Sequence, residues 1–582
     1  MVFRPPKWVP QMPSIPDSTP ILDFLLQEEF GRHKISQSHP PLVCGISGRE
    51  YSVPEVSKRT ISIAKSLLKS LEWEVNSGTQ WEKVVGVFAF NSIDTLPVAW
   101  AVQRLNGIVT PVNAISTAEE LTSQLRSSGA KALFTCASLL STALKAADIV
   151  GIPRRHIFLL EVAADQPNHG SIYFRTASKL AAEGQSLPPL EPIGWSPGQA
   201  KTQVAFLCYS SGTSGTPKGV LISHYNVISN IIQMHTTERS VRKERLSLAR
   251  STELDIGICV LPLSHIYALV AIAHTSFYRG DKCVIMPKYE INSFLQAIEM
   301  FKVSLLYLVP PIVLNILQSP TLVSKYDLST ISAVFTAAAP LGKEMALALE
   351  QAFPQWKIRQ AYGLTESCVV ATSTVENDIS PGSSGSLVSG YEAKLLTPDG
   401  IEITALDVPG ELYLRSPSIT SLGYFRNNQA SKETFLEDGW LRTGDEAMFR
   451  LSEQGKNEHL WITDRLKELI KVNGLQVAPS EIESHLLSHI AVADVCVIPI
   501  PDLRTGEALK AYIVKAEDCR GIDDVSLGEI LKVHVQEEKA RYKWLKEIAF
   551  VDRIPKSGTG KILRNAVKEW ERSLRRQDGP RL

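Results

Sequence analysis

The stretch YSSGTSGTPKGV, Tyr209 to Val220, crowds Ser, Thr and Gly around one Pro-Lys pair directly after the apolar run VAFLC. Glycines let backbone N–H groups approach an anion, hydroxyls add donors, and Lys218 adds a point charge. The stretch therefore reads either as a flexible surface turn or as a loop shaped to hold phosphate. It is not a Walker loop, because Pro217 precedes Lys218 and Gly219 follows it, where that pattern needs G-x-x-x-x-G-K-[ST]. PKSGTGKIL near the C-terminus fails the same test: Pro555 stands where the first Gly belongs, and Ile562 follows Lys561. Four further stretches carry chemistry. QAYGLTES, Gln360 to Ser367, sets an aromatic, a hydroxyl and a carboxylate within a few residues. DGWLRTGD closes a strand-like run on Asp445. DRLKELIKVNGLQVAP, Asp464 to Pro479, is a basic segment followed by a turn, and PKSGTGKILR offers Lys561 on a Gly-flanked loop.

Such groups act only if a scaffold brings them together. The chain has 582 residues, 44% of them hydrophobic and 21% charged, which suits a globular enzyme of two or more domains. Short apolar runs such as KVVGVFAF, KALFTC, HIFLLEV, VAFLCYS, KCVIMP, VSLLYLV and ISAVFTA alternate with helix-length segments such as DTLPVAWAVQRLNG and INSFLQAIEMF. That alternation predicts an α/β fold with largely parallel sheets. From about Gly385 the texture changes to short strands and turns, which suits a small β subdomain, and past Asp464 comes a shorter tail of mixed α and β. The Pro-rich stretch Ser186 to Pro197 reads as a surface connector, and the charge-dense run Glu238 to Ser251 as a solvated helical face.

Lys+Arg and Asp+Glu balance at 61 each, so no electrostatic footprint argues for nucleic acid or an anionic membrane. Eight scattered cysteines, without C-x-x-C or a metal-like cluster, predict free thiols in a reducing compartment. The N-terminus MVFRPPKWVP lacks the apolar core of a signal peptide. Ile256 to Ala273 is uncharged over roughly a bilayer span, but Pro262, Ser264 and His265 interrupt it. A buried strand, a turn and a buried helix are the expectation, with no membrane span.

Taken together and in order, the five motifs resemble the adenylate-forming superfamily of acyl-CoA synthetases, luciferases and peptide-synthetase adenylation domains, over about Tyr51 to Arg564. The nearest likeness is to 4-coumarate–CoA ligase-like enzymes, through LPLSHIYAL and DRLKELIKVNGLQVAP. The resemblance implies a large N-terminal domain, 1–463, of two α/β subdomains plus a small β subdomain. A small mobile α+β C-terminal domain, 464–582, would follow, hinged near 464–467. It implies an enzyme that joins a carboxylic acid to ATP, giving acyl-AMP and pyrophosphate, and then passes the acyl group to coenzyme A. The alternative within the family is an adenylating enzyme that loads a carrier-protein thiol.

Position by position, the resemblance assigns Ser210, Ser211, Gly212, Thr213, Ser214, Gly215 and Lys218 to the β- and γ-phosphates and Thr365 to the α-phosphate region. Glu366 would bind Mg²⁺, a hard cation suited to carboxylate and phosphate oxygens. Tyr362 would stack on adenine, with Gln360 and Ala361 beside it. Asp445, assisted by Arg465, would take the ribose hydroxyls. Lys561 would contact the reacting oxygens during adenylation. Lys467 would lie near the hinge, and Lys471 and Gln476 on the face presented for thioester formation. His265 would gate an acyl pocket containing Tyr267, Ala271, Phe335, Ala337 and Ala338. Plant coumarate ligases continue HIYALNS where this chain has Val270 and Ala271, so the polar partner of a phenol is missing; a relatively apolar acid is expected. Pro580-Arg581-Leu582 resembles the peroxisomal address S-K-L, implying the import receptor as a partner and the peroxisome as the location, otherwise the cytoplasm.

Overall fold

The computed structural model describes residues 2–163, 165, 171–210, 217–248, 254–453, 457–465, 468–472, 475–502, 504–557 and 560–577. Four sheets organise them. The first has seven strands in the order Arg175–Thr176, Ile157–Leu159, Ala132–Thr135, Val84–Phe88, Ile108–Val112, Val204–Ser210 and Lys218–Ser223. All its pairings are parallel except the last, the antiparallel hairpin that carries the Ser/Thr/Gly stretch. Val84–Phe88, Ile108–Val112 and Ala132–Thr135 are buried at every residue, as expected of parallel strands covered on both faces.

Helices cover these faces because local signals start and stop them. Ala118–Ser128 begins on Thr117, whose hydroxyl accepts from the Glu120 N–H in a capping box, and ends at Gly129 with φ of 71°. Val53–Leu71 begins on the Ser52–Glu55 box and buries one face, including Val56, Ile63 and Leu67.

The second sheet has nine strands, and its centre is the parallel set Lys282–Ile285, Ile256–Cys259, Leu305–Leu308, Ala333–Thr336 and Lys357–Leu364. One large apolar core joins these two sheets and runs on to Leu460. The third is a five-stranded antiparallel sheet from Glu392–Leu396 to Glu458–Arg465, matching the expected β subdomain. A separate core, from Ile470 to Leu545, lies under the fourth sheet, in which Leu545–Phe550 runs parallel to Gly506–Lys515. The architecture is therefore mixed α/β with parallel sheets and a C-terminal α+β domain.

Two expectations need refinement. The segment from Ile256 does form a strand, a turn and a buried helix, but that helix, Tyr267–His274, is π-wound, with i→i+5 bonding. Among the described residues no helix is long and apolar enough to cross a membrane. The run from Glu238 is not a solvated face at its start. Glu238 is 6% exposed. Its carboxylate accepts from the Arg359 guanidinium at 2.6 Å and forms an ion pair with that of Arg279 at 2.9 Å. Arg242 pairs with Asp281 at 2.6 Å. Burial alone would raise the Glu238 carboxyl, but the two arginines outweigh it and hold it down at about 2. The charge density of the run answered to buried partners far away in sequence, which no local pattern reveals.

Candidate active site

The hairpin Val204–Ser210/Lys218–Ser223 sets Ser210 opposite Lys218. Ser211, Gly212, Thr213, Ser214 and Gly215 lie outside the described residues. From the hairpin's end, the Ser210 hydroxyl donates to Glu366 Oε1 at 3.1 Å, and the Tyr424 hydroxyl donates to the same oxygen at 2.8 Å. Lys218 Nζ stands 5.0 Å from the centre of the Tyr424 ring. Burial, and then the Glu366 charge, push the Tyr424 hydroxyl far above its ordinary value, so it stays a donor. Tyr424 was not singled out from the sequence, where GYFRN carries no signal beyond an aromatic in a polar loop.

Glu366 is aimed by its backbone. Lys357–Leu364 pairs antiparallel with Val369–Ser373, and the register slips between Tyr362 and Gly363. Across that bulge a Cβ on Gly363 would fall 1.3 Å from the Val369 carbonyl oxygen, so only glycine fits. The one-turn helix Thr365–Ser367 fills the connection. Cys368 and Val369 follow at φ of 53° and 99°, the second an unusual conformation for a β-branched residue. The turn is fixed from outside, since the Glu366 carbonyl accepts from the Thr420 N–H at 2.9 Å and the Thr420 hydroxyl at 3.0 Å. Thr365 is half-buried, and its hydroxyl has no protein partner among the described residues.

At the other end of the same strand-and-turn, the Tyr362 hydroxyl donates to Asp445 Oδ2 at 2.6 Å. The Asp445 N–H is held by Thr443 Oγ1 at 3.1 Å. Asp445 faces Arg465 in register, although the Arg465 side chain lies outside the described atoms. Ala361 is half-buried beside Tyr362. Gln360 is less available, because its amide donates to the Leu341 carbonyl at 3.2 Å and the side chain is buried.

The Lys561 loop is a tight hairpin. Lys556 bridges Ile562, the Ser557 N–H donates to the Lys561 carbonyl at 2.8 Å, and the Lys561 N–H donates to Ser557 Oγ at 3.2 Å. It is seated on the large domain. A Cβ on Gly560 would come 2.8 Å from Pro311, at the start of helix Pro310–Leu317. The Lys561 charge reaches His265: burial, and then that charge, push the imidazole down to about 4. His265 Nδ1 accepts the Tyr267 N–H at 3.2 Å, which assigns the proton of the neutral ring to Nε2. Lys471 and Gln476 face each other across another small hairpin. Lys471 is exposed, and its N–H is taken by Glu507 at 2.7 Å. It makes no hydrogen bond to the Glu366 or Asp445 groups among the described residues. The side chain of Gln476, and all of Lys467, lie outside them.

Behind His265 the interior is closely packed and buried. The Tyr267 hydroxyl donates to the Phe335 carbonyl at 2.8 Å, and Val270 and Ala271 are completely buried. Tyr307, Phe335 and Arg359 stand side by side on adjacent strands, with the Arg359 guanidinium 5.0 Å from the Phe335 ring centre. Ala337 is buried. Ala338 is half-buried at φ of 71°, a left-handed conformation held without glycine. The ion pairs of Glu238 close this region from behind, where removing one partner would strand a buried charge. Neither Tyr307 nor the Arg359–Glu238 pair was legible as part of the site, since each depends on strand neighbours.

Comparison with known proteins supports the same grouping. The family model described as AMP-binding enzyme matches residues 36–425, and that of the AMP-binding enzyme C-terminal domain matches 481–561. The chain is 40% identical to the acyl-CoA ligase easD of Emericella nidulans, over 98% of this chain and 100% of that protein. It is 39% identical to the acyl-CoA ligase AFT1-1 of Alternaria alternata, over 98% and 97%. Among solved structures, the anthranilate CoA ligase AuaEII in complex with anthranoyl-AMP superposes with a TM-score of 0.78 at 24% identity, covering 96% of this chain and 98% of that one. ATP-bound MatB from Rhodopseudomonas palustris gives 0.75 at 22%, covering 96% and 99%. The chain belongs to the AMP-binding enzyme family and, within it, to the acyl-CoA ligases.

Proposed function

We infer that this protein is an ATP-dependent, AMP-forming acid–thiol ligase that activates a relatively apolar carboxylic acid and transfers it to coenzyme A. One observation carries the reading: Ser210, at the end of the Ser/Thr/Gly hairpin, and Tyr424 both donate to the Glu366 carboxylate, while Tyr362 on the same strand-and-turn donates to Asp445. Two anions must meet in the first half-reaction, and positive charge with oriented donors offsets their repulsion. A carboxylate oxygen attacks the α-phosphorus, and the bond to pyrophosphate breaks. Lys561 would bind the reacting oxygens, Lys218 and Ser210 would hold the departing phosphates, and the neutral Nε2–H of His265 would orient the acid. Tyr362 and Asp445 would hold adenine and ribose, exchanging part of their mutual hydrogen bond for contacts with the nucleotide.

Mg²⁺ fits this donor set. Among the described residues both donors to Glu366 converge on Oε1 and none reaches the second carboxylate oxygen, and one carboxylate plus substrate phosphates is the usual Mg²⁺ arrangement. Bound there, the cation would neutralise phosphate charge. In the second half-reaction the CoA sulfur attacks the acyl carbonyl, AMP leaves, and the thiol proton passes to solvent. We assign a hinge at 464–467 between domains 1–463 and 464–582. Rotation there would withdraw Lys561 and present Lys471 and Gln476. A chain ending in Pro580-Arg581-Leu582 would be addressed to the peroxisome, which binding of that peptide to the import receptor tests.

The direct test is pyrophosphate release from ATP across a panel of acids, with and without CoA. Release with aliphatic or non-phenolic acids, and a CoA thioester by mass spectrometry, is the expected result. Adenylate formation without transfer to CoA would point to a carrier-protein thiol instead.

A further inference from the structure

The helix that carries Tyr267, Val270 and Ala271 is wound one residue per turn too wide, and something must hold it so. Its C-terminal end is fastened by side chains. His274 Nδ1 lies 2.6 Å from the Leu269 carbonyl oxygen, five residues back, and the Thr275 hydroxyl donates to the Val270 carbonyl, also five back, at 3.0 Å. The Thr275 N–H reaches the same Val270 oxygen. The other face of the imidazole is also used: Nε2 accepts from the Trp100 indole N–H at 3.0 Å, with the rings edge to face. These two bonds assign one neutral tautomer, with Nδ1 the donor and Nε2 the acceptor. Burial pushes His274 down to about 4, consistent with that neutral form.

Trp100 lies in helix Thr95–Gln103, every residue of which is buried, on the seven-stranded sheet. His274 therefore ties the acyl-pocket helix of one sheet to the neighbouring sheet. A crevice of about 20 Å³ lies along this junction, lined by Thr95, Ala99, Phe206, Leu263, Ser264 and Leu269. Leu269, the residue whose carbonyl His274 holds, thus borders free space.

We propose that His274 is a positioning residue that sets the width of the acyl pocket, by locking the π-helix Tyr267–His274 in register and against Trp100. Without the lock the helix relaxes toward α-helical spacing, Leu269 moves into the crevice, and the faces of Val270 and Ala271 rotate relative to Tyr267, which is held on Phe335. The pocket then accepts bulkier acids and holds the native one less well. The proposal rests on the reading that the acid lies between this helix and the strand bearing Phe335.

The test is steady-state kinetics of the full-length enzyme on a graded series of straight-chain acids. His274→Leu, which keeps volume but neither hydrogen bond, is expected to raise KM roughly tenfold for the acid of the series that the unaltered enzyme uses best, shift the optimum about one or two carbons longer, and leave KM for ATP within about twofold. His274→Asn retains a donor for the Leu269 carbonyl and should recover most of the native profile; Trp100→Phe should fall between. A lower melting temperature with an unshifted acid profile would make His274 merely structural and overturn the proposal. If His274→Leu fails to fold, His274→Asn and Trp100→Phe decide on the same readout. Val270→Phe separates the two readings: a profile indifferent to it would sink the placement of the acid itself.

Discussion

The two ends of the proposed active site are built on different principles. The nucleotide end is polar and assembled from short motifs: Ser210 and Lys218 from one hairpin, Tyr362 and Glu366 from one strand and turn, Asp445 from a strand end. The proposed acyl end is buried and assembled from packing. Tyr267, Phe335, Tyr307 and Arg359 meet only because a helix lies across parallel strands, with Glu238 and His274 fastening it from behind. A motif can keep the first across distant relatives, while the second can be retuned without touching it. The difference separates the chemistry from the choice of acid.

The largest effect is expected where one residue serves the nucleotide end sterically. Gly363→Ala puts a methyl 1.3 Å from the Val369 oxygen, so the bulge must open and Glu366 lose its aim. Loss of more than about 4 kcal/mol of stability, or no folded protein, is expected by chemical denaturation. A stable, active variant would show that the bulge is dispensable. Next, Lys561→Ala should slow pyrophosphate release roughly 10²–10³-fold with ATP affinity largely kept, as for loss of one charged transition-state donor. Unchanged turnover would remove Lys561 from the chemistry. Tyr424→Phe removes one of two donors on Glu366 Oε1. A roughly tenfold weaker response to ATP and Mg²⁺ together, with the acid profile unmoved, is expected. If that profile moved instead, the separation of the two ends would be wrong.

The smallest effect is on pH. Burial holds His224 at about 3 and His274 at about 4, both below the ordinary 6.5. The unfolded chain therefore takes up those protons first. Their contribution to stability is complete above about pH 6.5 and is lost as pH falls toward 4. Hydrogen exchange should quicken around 267–278 before 357–373 as the solution is acidified. Simultaneous loosening of both segments would contradict this.

How much of this was legible from the sequence differs between the ends for the same reason. The strands from Val84 to Thr336 announced themselves as apolar runs, because a strand buried on both faces has no polar positions to spare. The grouping of Ser210 with Glu366 and of Tyr362 with Asp445 drew on motifs legible in the sequence, because glycines, hydroxyls and a carboxylate have to be close in sequence when one turn carries them. Tyr424 escaped, since its partner Glu366 lies 58 residues away. Glu238 was misread as solvated because its charge gave no hint of Arg359, 121 positions on.

By itself, then, the sequence determined the α/β alternation, the order of the motifs and the chemistry they can perform, all properties of residues within one turn or strand of each other. Only the tertiary structure decided that Ser210 and Tyr424 meet on one oxygen of Glu366, that Gly560 beside Lys561 packs on Pro311, and how the π-helix is held against Trp100. These depend on distances between segments brought together by burial of apolar surface, a force that has no direction and leaves no local signature.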